Sequence, residues 1–105
     1  MSGLDEAFCV VVPRLLRRRG GRSSALVAFV ATGEPETGYW VVSLRDGDGR
    51  RGVETDVPDV VVEASAAVLA LLLDGSLDTA GAIARGVLVV RGNSSALDEL
   101  ARLIA

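Results

Sequence analysis

The sequence predicts an α+β domain, a five-stranded mixed sheet with helices packed mainly on one face, in the order α-β-β-β-β-α-α-β-α. Three observations predict it. Four strand-like segments fall between residues 26 and 63, the first three separated by glycine-containing turns. Two short helical segments and a fifth strand follow between residues 66 and 91. Helical patterns with an apolar face stand before and after this block.

Residues 4–19 read as helix. Asp5 and Glu6 lie in the first turn and Arg17, Arg18 and Arg19 in the last, matching the helix dipole at both ends. Phe8, Val11, Val12, Leu15 and Leu16 share one face. Pro13 interrupts this segment, which predicts a kink or two short helices with Pro13 opening the second. Gly20-Gly21 stops the element. Residues 26–32 form the first strand and 33–38 a turn, followed by a second strand over 39–45. Asp46-Gly47-Asp48-Gly49 has hairpin turn chemistry, and a short third strand is expected over 51–55. A fourth strand is expected over 57–63, with Pro58 near its start. Ser65 is placed to cap a helix over 66–73, with Gly75 just beyond its end. Asp78 is placed to cap a second helix over 79–84, and 87–91 read as the fifth strand. Ser94 or Ser95 caps a last helix whose Leu97, Leu100, Ala101 and Ile104 follow a helical stripe.

The first strand, Leu26-Val27-Ala28-Phe29-Val30-Ala31, does not alternate. A sheet with one wet face should alternate, so its second face is expected to be covered. A chain of 105 residues makes one domain, residues 1–105, and buries roughly 65% of the surface exposed by its unfolded form, enough for one core. Half the residues are hydrophobic and the mean hydropathy is +0.40. The longest apolar run, Ala66–Leu73, is far short of the ~20 residues that span a bilayer. No basic segment precedes an apolar one at the start, and Cys9 is the only cysteine, which together point to a cytosolic address; a bacterial-type protein is expected.

The net charge of −3 argues against nucleic acid. There is no histidine, which removes the commonest proton shuttle and metal ligand, and no metal or cofactor is expected. Gly47-Asp48-Gly49-Arg50-Arg51-Gly52 matches a G-x-G-x-x-G string between strands, where no helix N-terminus waits for a pyrophosphate. Asp46 and Asp48 resemble the opening of a calcium loop, but Arg50 and Val57 occupy later ligand positions. Cys9 lies in an apolar helix without a base, and Asp74, Asp78, Asp98 and Glu99 sit where turns, caps and helix dipoles explain them. No catalytic constellation is left.

Residues 72–93 carry the strongest pattern. The strand Val60-Val61-Val62 leads into a helix ending Leu72-Leu73-Asp74-Gly75, followed by Leu77-Asp78, Ala82, Gly86, a strand and Gly92-Asn93. An apolar strand ending at Gly33 and the aromatic strand Tyr39-Trp40, ending at Asp46-Gly47, precede it in register. This order resembles the sterol carrier protein 2 family of lipid-binding domains over residues 26–104, and Pro13-Arg14-Leu15-Leu16 is similar to that family's first helix. The chain departs from the family at Ile83 and Ala84, where a bulky aromatic and a methionine are usual, and at Arg85 and Arg91, where lysines are common.

The resemblance implies non-enzymatic carriage of an apolar ligand, a fatty acyl chain, isoprenoid or sterol-like molecule, between helices and sheet. It implies a lining drawn from Phe29, Trp40, Val42, Val62, Leu69, Leu72, Leu73, Ile83, Leu88, Leu97, Leu100 and Ile104. A filled core would place these same residues in ordinary packing. Small residues at Ala66, Ala70, Ala82 and Ala84 leave two readings open, a wider cavity or closer helix contact. Arg14, Arg17, Arg18, Arg19 and Arg22 gather five of the eleven basic residues. They make either a solvated helix end or a patch that meets anionic lipid headgroups during ligand exchange. The alternative function is a small accessory module that forms a homodimer through its second sheet face.

Overall fold

The computed structural model describes residues 3–19, 24–33 and 37–104. The central strand is β1 (Leu26–Thr32), antiparallel to β2 (Gly38–Ser43). β2 continues antiparallel to β3 (Asp48–Arg51) at one edge. On the other side β1 runs parallel to β4 (Val60–Ser65), which pairs antiparallel with β5 (Leu88–Gly92). The sheet order is β3-β2-β1-β4-β5, a mixed sheet as expected. Among the described residues five α-helices accompany it, α1 (Gly3–Glu6), α2 (Val12–Arg19), α3 (Ala66–Leu73), α4 (Thr79–Ala84) and α5 (Ser94–Ile104). The stop at Gly20-Gly21 and residues 34–36 of the turn at 33–38 fall outside the described residues.

Pro13 explains the form of the N-terminal segment. Between α1 and α2, Ala7–Val11 is π-helical, and the Val12 N–H reaches back to the Ala7 carbonyl. Pro13 is then the second residue of α2, directly after the π-helical turn, whose wider backbone accommodates a residue that donates no N–H. The wide turn takes the place of a kink.

One sheet face carries the core. Val27, Phe29 and Ala31 of β1, Trp40 and Val42 of β2, Val60, Val62 and Ala64 of β4 and Leu88 of β5 meet Phe8, Leu16, Leu69, Leu97 and Leu100 from the helices. Phe8 lies between Phe29 and Trp40, with ring centroids 4.7 and 5.2 Å away. Among the described residues no polar or charged residue is fully buried.

The third strand lies earlier than 51–55, and its turn is Leu44 to Gly47. Gly47, at φ +66, donates its N–H to the Ser43 carbonyl at 3.0 Å. The glycine at 49 serves a different purpose from a turn: a Cβ there would collide with the carbonyl oxygen of Phe8. β3 therefore passes directly beneath the π-helical segment. The fourth strand begins later than 57, because Asp59 serves as a clamp on β1. Its carboxylate accepts the Leu26 N–H at 2.7 Å, and its own N–H donates to the Leu26 carbonyl at 2.8 Å. The last helix is capped by Asn93 rather than by Ser94 or Ser95, since Asn93 Oδ1 accepts the Ser95 N–H at 3.1 Å. The caps expected of Ser65 and Asp78 are present, accepting from Val68 N–H at 3.2 Å and Gly81 N–H at 3.3 Å.

The second sheet face is covered in part by the chain itself. β3 and β4 run in the same direction, so residues 52–59 must cross a face to join them, and the helices fill the inner one. Arg50 shares the outer face with its partner Val41, and it grips Asp56 of the crossing segment through two hydrogen bonds of 3.0 and 2.6 Å. Gly52 lies against the Tyr39 ring. This crossing accounts for Ala28 and Val41 being 0% and 2% exposed on a face without helices, and for the lack of alternation in β1.

Candidate functional site

α3 is apolar on every side, yet it buries only Ala66, Leu69 and Leu72. Its remaining apolar residues need another partner or face water. The partner in part is the N-terminal segment. Gly3, Leu4, Ala7 and Val11 form one wall, and Ala66, Ala67, Ala70 and Leu73 the other, of a groove of about 570 Å³. The volume falls within the usual range of a small-molecule pocket, ~300–1,000 Å³.

Asp74 stands at the α3 end of the groove and is the one polar residue lining it among the described residues. Its Oδ1 accepts the Ser76 N–H at 2.8 Å. The Ser76 hydroxyl and then this N–H hold the Asp74 carboxyl below its ordinary value. The C-cap geometry fixes the position, because the Asp74 N–H is held by the carbonyls of Ala70 and Leu72.

The N-terminal wall is pinned to the sheet by one carboxylate. Asp5 Oδ1 accepts the Trp40 indole N–H at 2.8 Å, and Asp5 Oδ2 pairs with Arg51 at 2.8 Å. The Arg51 guanidinium also sits 5.1 Å from the centroid of the Trp40 ring. Cys9 follows on the same segment. Burial, and then the nearby Asp5 charge, push its thiol pKa up against the opposing effect of Arg51, which keeps it a poor nucleophile.

The residues implied by the resemblance divide into four cases. Phe29, Trp40, Val42, Val62, Leu69, Leu72, Leu88, Leu97 and Leu100 are buried together in the packed core. Leu73 packs against that core and also lines the groove. Ile83 is 44% exposed, on the outward side of α4. The side chain of Ile104 lies outside the described residues. Of the four small residues, Ala66 and Ala70 line the groove, Ala82 is fully buried and Ala84 is exposed. Sequence reasoning had placed Val11 on a core face and passed over Ala7. Their place on the groove wall depends on the π-helical turn.

Arg14, Arg17 and Arg18 are exposed on α2, and with Cys9 and Val10 they line a second concavity of about 510 Å³. Among the described residues these three make no ion pair, although Arg17 Nε donates to the Pro13 carbonyl at 3.2 Å. Arg22 and the side chain of Arg19 lie outside the described residues. Among the described residues no helix is long and apolar enough to cross a membrane.

The model of the SCP-2 sterol transfer family matches residues 17–105. The chain belongs to the SCP-2 sterol transfer family. Solved structures share the fold of this SCP-2 domain. The solution structure of sterol carrier protein 2 from Aedes aegypti in complex with palmitate is 16% identical, with a TM-score of 0.81 over 100% of this chain and 97% of that one. Palmitated SCP2L2 of the same mosquito is 19% identical, with a TM-score of 0.73 over 99% and 95%. Sterol carrier protein domain 2 of Helicoverpa armigera is 25% identical, with a TM-score of 0.66 over 97% and 82%. Curated protein sequences give no significant match. At the family's departure points, Ile83 and Ala84 face outward from α4.

Proposed function

We propose that this SCP-2 domain binds and carries an apolar, lipid-like molecule in the cytosol, a fatty acyl chain, isoprenoid or sterol-like ligand, without catalysing a reaction on it. The groove between the N-terminal segment and α3 is the observation that carries this reading, with about 570 Å³ lined by eight apolar or glycine residues and one carboxylate. Family membership and the palmitate complex of a relative with the same fold support it. The described groove residues offer hydrophobic contact and a single carboxylate, Asp74, with no second polar side chain beside it. Each buried methylene contributes ~0.8 kcal/mol, so affinity rises about fourfold per methylene until the groove is full.

Native mass spectrometry of solvent-extracted protein, reloaded from a panel of acyl and isoprenoid ligands of increasing length, tests the proposal. A 1:1 complex whose affinity climbs with chain length is expected. No complex with any member of the panel would remove the reading.

Ligand exchange at anionic membranes is part of the same proposal, on the ground that Arg14, Arg17 and Arg18 are exposed and unpaired among the described residues. Changing the three to Gln is expected to weaken sedimentation with anionic vesicles at low salt and leave the circular dichroism spectrum unchanged. Equal sedimentation would exclude the patch.

A further inference from the structure

The position of Asp74 bears on the ligand's headgroup. A groove that takes any hydrocarbon chain discriminates among lipids only through the polar groups it presents. Among the described residues that group is a single carboxylate, and no arginine lines the groove. The same end of the groove is the C-terminal end of α3, where the helix dipole adds negative potential. Oδ1 is occupied by the Ser76 N–H, and a carboxylate retains acceptor capacity on its other oxygen.

The geometry points to a ligand whose head is a hydrogen-bond donor without negative charge, a lipid alcohol or amine, seated with that head at Asp74. An acyl carboxylate placed there meets a like charge and finds no cation among the described groove residues. The Ser76 hydroxyl and N–H keep Asp74 ionised, so protonation does not relieve that repulsion near neutral pH. This assignment rests on the groove being the ligand site and goes beyond it by naming the headgroup class.

Dodecanol, dodecylamine and laurate share one chain length and differ only at the head. Their dissociation constants are measured at low ionic strength and neutral pH, by competition with a neutral fluorescent lipid probe, for the native chain and Asp74→Asn. Asparagine keeps an oxygen for the Ser76 N–H, so the turn is retained. The native chain is expected to bind the alcohol and the amine more tightly than laurate. Asp74→Asn is expected to tighten laurate about fivefold and weaken the amine about fivefold, the effect of two unit charges ~4 Å apart in water. Dodecanol should change by less than about twofold. If all three ligands bind and Asp74→Asn shifts neither laurate nor the amine, the headgroup assignment falls and the carrier reading stands. If none of the three binds either protein, the carrier reading falls and takes the assignment with it.

Discussion

Replacing Asp5 with Ala should release the wall of the groove from the sheet. Asp5 accepts the Trp40 indole N–H and pairs with Arg51, both at 2.8 Å, and Trp40 is 0% exposed. Removing the carboxylate leaves a buried N–H without that acceptor, a loss of roughly 1–3 kcal/mol. The ion pair adds little, about 0–1 kcal/mol, because the Arg51 side chain is 55% exposed and that of Asp5 20%. The sum is about 1–4 kcal/mol, a sizeable part of the ~5–15 kcal/mol typical of a small domain. Urea unfolding followed by fluorescence is suited to it, since Trp40 is the single tryptophan and reports its own hydrogen bond. Asp5→Asn supplies the control. It keeps an acceptor for the indole and loses only the charge, so it should cost about 1 kcal/mol or less. An Asp5→Ala chain within about 0.5 kcal/mol of the native one, a change typical of an unremarkable surface site, would refute the reasoning. It would mean that Phe8, stacked between Phe29 and Trp40, holds the segment without Asp5.

Three further outcomes follow from the same contacts. Gly49→Ala should destabilise by about 1–3 kcal/mol, because the new methyl group meets the Phe8 carbonyl; thermal melting checks it. Ser65→Ala should cost about 1 kcal/mol in the same assay through loss of the α3 cap. The Arg50–Asp56 pair holds the crossing segment on the outer face, and the Arg50 hydrogen bonds lower the Asp56 pKa to about 2. Its contribution is fully present above the ordinary carboxylate value and is lost as pH falls through about 2. Asp56→Asn should therefore melt below the native chain near neutral pH, and the two curves should converge in strong acid; a gap independent of pH would contradict the pairing.

What the sequence made legible was local. Ser65, Asp78 and Gly75 mark helix ends through bonds or backbone angles that span only a few residues, and each lies where its pattern places it. The mixed sheet and its element order followed from strand patterns of the same local kind. The misplaced boundaries have distant causes. Gly49 reads as a turn residue, but the structure needs it because Phe8, forty-one positions earlier, lies on top of it. Asp59 reads as part of a strand, but it is occupied by the backbone of Leu26.

The groove was half legible. Ala66 and Ala70 stood out as small, yet Ala82 is equally small and is fully packed. Residue size alone does not say which alanine faces a neighbour and which faces a space. The opposite wall, Ala7 and Val11, depends on the π-helical turn imposed ahead of Pro13, and an ideal helical period does not show it. Phe29, Trp40 and Val62 were expected around a ligand on the strength of family resemblance. They surround Phe8, which comes from the N-terminal segment.

The central claim is that an apolar chain lies between the N-terminal segment and α3. Intermolecular nuclear Overhauser contacts in a complex with dodecanol test it most directly. The account predicts contacts from the dodecyl methylenes to the methyl groups of Val11, Ala67, Ala70 and Leu73. Contacts confined to Phe29, Val62 and Leu69 on the inner side of the sheet would contradict it, because the ligand would then occupy space that this structure fills with Phe8.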